Sequence, residues 1–166
     1  MPTVGLRNAH DQTFAMGIAG GMQVLVCSNL SFCGDMVFKR KHTRFIERDI
    51  HGLVAGGVSY LEGLWANQRK QVEAYRNSRL SDLRAHDLSV RALDQNVLPA
   101  SQLPEVLREW REPSHEEFAP RTLWSWFNAC TEVLKQRANP FALPGRTKAL
   151  HGLCDAHIGL DTYQAA

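Results

Sequence analysis

The chain has 166 residues, with 19 Lys and Arg against 17 Asp and Glu and a formal net charge of +2. Its 44% hydrophobic and 22% charged residues are typical of a globular protein and exclude collagen-like, low-complexity and fully disordered chains. We expect one domain over residues 1–166, with a strand-rich part (1–43), a helical part (44–157) and a tail (158–166). Because the net charge is small, any recognition by charge has to be local.

The cysteines and the N-terminus indicate a cytoplasmic protein with reduced thiols. The N-terminal residues lack the basic and apolar regions of a secretory signal, and no Cys-x-x-Cys pair is present among the four cysteines. We therefore expect no metal, no cofactor and no disulfide. The uncharged segment 12–34 is long enough to cross a membrane, but its glycine, asparagine and serine residues favour buried strands, so we expect no membrane partner.

Strand patterns come first in the chain. Phe14, Met16 and Ile18 alternate with smaller residues, Gly20-Gly21 predicts a turn, and residues 22–27 form a second apolar run. Residues 36–38 predict a further strand. The connections are too short for helical crossovers, which favours antiparallel pairing.

Helical patterns follow from about Arg44. The first predicted helix extends to Asn77, the second begins after an N-cap at Ser81, and the third runs from Ser101 until Pro113. The fourth covers 122–136, and Pro140 with Pro144-Gly145 predicts a break before a last short helix. The sequence thus predicts an α+β fold, with a small N-terminal antiparallel sheet packed against a mainly helical C-terminal two-thirds.

The first helix has an apolar stripe from Ile46 to Tyr75, and we expect this stripe to support a homo-oligomer. Four glycines interrupt the helix, each at a cost of about 1 kcal/mol relative to alanine. We expect them to mark the close approach of a neighbouring element. They are Gly52, Gly56, Gly57 and Gly63.

Two groups of residues have the composition of a reactive site. His10 next to Asp11 can act as a general base or contribute metal ligands, whereas turn hydrogen bonds explain the same residues structurally. Cys27 at a strand end can act as a nucleophile if His10 or His42 lies within hydrogen-bonding distance. Since nothing nearby in the sequence lowers its pKa, a buried structural cysteine is the favoured interpretation.

The segment 39–48 is the strongest run of charge, and we call it the basic junction. Its five Lys and Arg against Glu47 give a local charge of +4. Such a run can bind the phosphates of DNA or RNA, or it can bind an acidic protein surface. The third interpretation is that these charges face solvent and bind nothing. The residues concerned are Lys39, Arg40, Lys41, Arg44 and Arg48.

Four ordered motifs resemble those of a phage/plasmid-like prokaryotic family, domain of unknown function 932. The motifs are residues 5–11, 26–30, 41–43 and 122–132. The resemblance implies a mobile-element origin and a polar cluster of Asn8, His10, Asp11, Cys27, Asn29, His42, Asn128 and Thr131. This chain has Ala9 where the family pattern has Ser, and it starts almost on the first motif. If flanking strands are missing there, we expect an exposed sheet edge that favours assembly.

We expect a binding protein that acts on nucleic acid or on a host nucleic-acid-handling complex, with an inhibitor of host defence such as an anti-CRISPR protein as one form. The expected partners are a host protein or protein–nucleic-acid complex, DNA or RNA directly, and a second copy of the chain. The alternative is a small metal- or Cys/His-dependent hydrolase or nuclease that uses His10, Asp11, Cys27 and His42.

Overall fold

A computed structural model of the chain describes residues 2–7, 16–22, 35–40, 46–137 and 143–160. Most of these residues are helical, which confirms the prediction of a mainly helical protein. The helices are α1 (Ile46–Asn77), α2 (Asp82–Asp94), α3 (Leu103–Arg111), α4 (Leu123–Arg137) and α5 (Leu143–Ile158). The strands are β1 (Pro2–Arg7), β2 (Met16–Met22) and β3 (Asp35–Arg40).

The central strand is β2, which pairs antiparallel with β1 and with β3. Gly20 and Gly21 lie inside β2, opposite Val4 and Thr3 of β1. The turn predicted at these glycines is therefore wrong, because the ladder of backbone hydrogen bonds continues through them. Helix α1 packs next to β2 and β3, and Ile18 of β2 is buried.

The main hydrophobic core lies among the helices, from the C-terminal end of α1 to α5. Its largest fully buried side chains come from α1, α2, α3, α4, α5 and the turn after α2. These side chains are Trp110, Trp126, Tyr75, Phe127, Leu88, Leu98, Leu123, Leu134, Leu150, Val97 and Val106. The helical part thus contains a core of ordinary composition, dominated by aromatic residues and leucine.

A local sequence signal explains where α2 begins, whereas α3 and α5 begin at other positions than predicted. Ser81 accepts a hydrogen bond from the backbone N of Arg84 at 3.3 Å and caps α2, as predicted. Helix α3 begins at Leu103, later than predicted, because residues 100–102 form a separate 3₁₀ turn. The break predicted at Pro144-Gly145 is wrong, since both residues lie in the first turn of α5, where a proline N–H is not needed.

The apolar stripe of α1 is covered by the chain itself in its C-terminal half, because Leu61, Leu64, Gln68 and Tyr75 are buried, whereas Val58 in the other half is exposed. The glycines of α1 have a different environment from the one predicted. At Gly52, Gly56 and Gly63, an added Cβ meets no atom within 4 Å among the described residues. Within the part of the chain that the structure describes, no element approaches these three positions closely, in contrast to the prediction, whereas Gly57 is buried.

Replacing Gly56 by alanine is expected to stabilise the protein by about 0.5–1 kcal/mol. The methyl group has open space around it, and alanine loses less backbone entropy than glycine when the helix forms. Urea unfolding followed by circular dichroism measures the change. Gly159→Ala is the matched control, because Gly159 has a φ of +66° and alanine is strained there. A Gly56→Ala protein that is less stable than wild type would contradict this prediction.

Candidate functional site

The basic junction connects the end of β3 to the start of α1. Lys39 and Arg40 are the last two residues of β3, and α1 begins six residues after Arg40, at Ile46. Because β3 and α1 also pack against each other, the backbone brings the two ends of the basic run to the same side of the molecule. Lys41 and Arg44 lie outside the described residues, as do the side chains of Lys39 and Arg40.

Arg48 is the residue of the basic junction whose side chain the structure describes. The side chain is 74% exposed, and its Nε donates a hydrogen bond to Oδ1 of Asp49 at 3.0 Å. An exposed ion pair between adjacent residues contributes little to stability. A cation in the first turn of a helix also opposes the helix dipole. Neither effect therefore gives Arg48 an important stabilising role in α1.

The residues of the predicted reactive site lie outside the described part of the chain. These residues are His10, Asp11, Cys27 and His42, together with Asn8 and Asn29 from the predicted polar cluster. Their proposed chemistry stays a prediction.

Asn128 and Thr131, the other two members of the predicted polar cluster, are buried in α4 one turn apart. Asn128 Nδ2 donates to the backbone O of Trp124 at 2.7 Å, and Thr131 Oγ1 donates to the backbone O of Asn128 at 3.1 Å. Both side chains thus bond to their own helix. Within the described residues, Asn128 Oδ1 is buried without a hydrogen-bond partner.

The structure also contains an α1–α5 polar cluster, made of Gln71, Tyr75, His151 and Asp155. Asp155 accepts hydrogen bonds from Tyr75 Oη at 2.6 Å and from Gln71 Nε2 at 2.7 and 2.9 Å. Tyr75 Oη also lies 3.1 Å from His151 Nδ1. Tyr75, His151 and Asp155 are buried. The cluster therefore fixes α5 to the C-terminal half of α1 by polar bonds within the core.

Tyr75 Oη has one proton to donate and lies 2.6 Å from Asp155 and 3.1 Å from both His151 Nδ1 and the His151 backbone O. The shortest contact favours donation to Asp155, in which case a His151 that carries its proton on Nδ1 donates to the tyrosine oxygen. The His151 ring also packs on Phe127, with ring centroids 4.4 Å apart. Burial in this environment lowers the pKa of His151 to about 3, so the imidazole is neutral at pH 7.

The family model for the Domain of unknown function (DUF932) matches residues 1–156. The chain belongs to this family. No curated protein and no solved structure matches the chain.

The DUF932 match covers both the basic junction and the α1–α5 polar cluster. Sequence analysis missed the polar cluster, although its residues form two pairs at helical spacing. Gln71 and Tyr75 are four residues apart, as are His151 and Asp155, so each pair lies on one face of its helix. What the spacing cannot show is that the two faces meet, because the pairs are about 80 residues apart.

The structure describes two of the four cysteines of this DUF932 chain. Cys130 and Cys154 are buried and unbridged, and burial raises the pKa of Cys130 well above its usual value, which keeps the thiol protonated. Within the described ranges, no three His, Cys, Asp or Glu side chains are placed to hold a metal ion. No helix in the same ranges is long and apolar enough to cross a membrane.

Proposed function

We propose that this DUF932 chain is a mobile-element-encoded binding protein that acts on nucleic acid or on a host nucleic-acid-handling complex. An inhibitor of host defence, such as an anti-CRISPR protein, is one form of this function. The mechanism is occlusion, in which the basic junction and the neighbouring strand edge cover the partner's binding surface. The proposal includes the predicted arrangement in which a small N-terminal sheet packs against the helices.

The observation that supports the proposal best is the position of the basic junction. The end of β3 and the first turn of α1 carry three of its five cations, and the two elements are in contact. Arg48 adds a guanidinium that is 74% exposed and pairs with Asp49 on its own helix. We infer that these cations, placed on two elements in contact, form a positive surface, which suits a phosphate backbone or an acidic protein.

The binding surface is expected to depend on charge. Replacing Lys39, Arg40 and Lys41 by glutamate is expected to lower affinity for the partner at least about tenfold, while the melting temperature stays nearly unchanged. The measurements are fluorescence anisotropy with random-sequence duplex DNA and single-stranded RNA, and quantitative pull-down from a host lysate. For duplex DNA, four neutralised phosphates give a slope of log affinity against log salt of about −3.6.

The matched control is Arg69→Glu/Lys70→Glu, which reverses two exposed charges on α1 away from the junction. This variant is expected to bind like wild type. Equal affinities of the wild-type protein and the triple variant would contradict the proposal. Cleavage of the oligonucleotide by wild type, abolished by His10→Ala in a folded protein, would instead support the hydrolase or nuclease.

A further inference from the structure

Helix α2 has an exposed apolar row on its outer face. Leu83 is 78% exposed and Val90 is 53% exposed, whereas Ala85, Leu88 and Ala92 on the opposite face are buried in the core. Leu83 and Val90 are seven residues apart, so they lie two helical turns from each other on the same face. This places two large apolar side chains in solvent on one short helix, beside a row of charges.

The charges along one side of α2 alternate in sign. Arg84, Asp87, Arg91 and Asp94 follow one another at steps of three, four and three residues, which places them in one row. Arg91 Nε pairs with Asp87 Oδ2 at 3.0 Å. His157 of α5 lies beside this row, where burial and then Arg84 and Arg91 lower its pKa, so it adds no charge at pH 7.

The outer two charges of this row, Arg84 and Asp94, form no ion pair among the described residues. Arg84 is the third residue of α2 and Asp94 is the last, so each charge lies at the end of the helix dipole that disfavours it. A partner that brings opposite charges to both ends would remove this unfavourable arrangement.

We propose that α2 is a docking surface for α2 of a second copy of the chain. The two helices are antiparallel, and the two-fold axis crosses their exposed faces at the level of Ser89. In this arrangement residue n faces residue 178 − n of the partner. Arg84 then faces Asp94 of the partner subunit, and Asp87 faces Arg91 of the partner subunit. The two Val90 side chains meet near the axis, about 3 Å apart along the helix direction.

The order of the charges favours a second copy over an unrelated partner. Along one helix the charges of the row follow the order +, −, +, −. In an antiparallel partner the same row runs −, +, −, +, so each charge faces an opposite charge. This is the self-complementarity that a two-fold interface requires. Antiparallel helices also align their dipoles favourably. The apolar stripe of α1, the surface expected for an oligomer from the sequence, is buried within the chain at Leu61, Leu64 and Tyr75 and exposed at Val58, so the order of the charges is what favours α2.

One helix face buries less than the approximately 800 Å² per partner of a standard stable interface, so the dimer is expected to be weak. Sedimentation velocity of the full chain from about 10 to 500 μM, at low and high salt, is expected to show a concentration-dependent dimer that salt weakens. Val90→Arg is expected to give a monomer with an unchanged melting temperature. Val58→Arg, at an exposed site on α1, is the matched control and should dimerise normally.

A charge exchange tests the register. Arg84→Asp is expected to weaken dimerisation about tenfold, because the new carboxylate faces Asp94 of the partner subunit. Arg84→Asp/Asp94→Arg restores opposite charges and is expected to return affinity to within about threefold of wild type. A wild-type monomer at the highest concentration, a Val90→Arg protein that still dimerises, or a double variant as weak as the single one would overturn the proposal.

Discussion

Acidification from pH 7 to pH 4 is expected to lower the free energy of unfolding by about 3 kcal/mol through His151 alone. The imidazole is buried between Tyr75 and Phe127, and its pKa of about 3 in the folded protein compares with 6.5 in the unfolded chain. The unfolded state therefore binds a proton over a range in which the folded state does not. This contribution to stability is complete above pH 6.5 and is lost as the pH falls toward 3.

The measurement is the free energy of unfolding from urea titrations at several pH values between 7 and 4. His151→Asn is the matched variant, because its amide nitrogen can replace Nδ1 as a donor to Tyr75 but does not titrate. The variant is expected to be less stable at pH 7 and to lose about 3 kcal/mol less on acidification. Equal pH dependence in both proteins would show that His151 does not control the acid response.

Replacing Phe127 by alanine is expected to cost about 3–5 kcal/mol, a large part of the total stability of a domain of this size. Phe127 is fully buried and lies between Trp124, Tyr75 and His151, with ring centroids 5.5, 6.0 and 4.4 Å away. Removing the ring leaves a cavity where α1, α4 and α5 meet. Urea unfolding of the variant measures the loss.

Tyr60→Ala removes another aromatic ring, from a site on α1 that is 43% exposed. Because little packing is lost there, this control is expected to change stability by less than about 0.5 kcal/mol. A Phe127→Ala cost below about 1 kcal/mol would mean that the surrounding side chains fill the space, and that this aromatic group is not the centre of the core.

The helical part was predictable where the signal is local. Ser81 has a side chain that suits an N-cap, and the structure places it at the start of α2. The incorrect predictions concern proline and glycine, which occur both in turns and inside helices or strands. Proline and glycine break helices internally but are tolerated in the first turn, as at Pro144 and Gly145. Gly20 and Gly21 are typical of turns, yet pairing with β1 keeps them in β2.

The site was less predictable than the helices because it depends on contacts between distant segments. Asn128 and Thr131 were correctly placed one turn apart on a helix, but only the structure shows that they bond to their own backbone. Tyr75 and Asp155 are 80 residues apart in the chain, and their hydrogen bond has no counterpart in any local pattern. The basic junction was visible from composition alone, since a run of charge needs no tertiary contact to be recognised.

Helix α1 connects the core at its C-terminal end to the basic junction at its N-terminal end. Its C-terminal half is held in the core through Tyr75, while Arg48 lies 27 residues earlier, about 40 Å away along the axis. Between them, Gly52, Gly56 and Gly63 leave the helix without side-chain support on part of its surface, so bending costs less there than elsewhere. Because α1 also contacts β2 and β3, any bend in this part of the helix is shared with the strands, one of which carries Lys39 and Arg40.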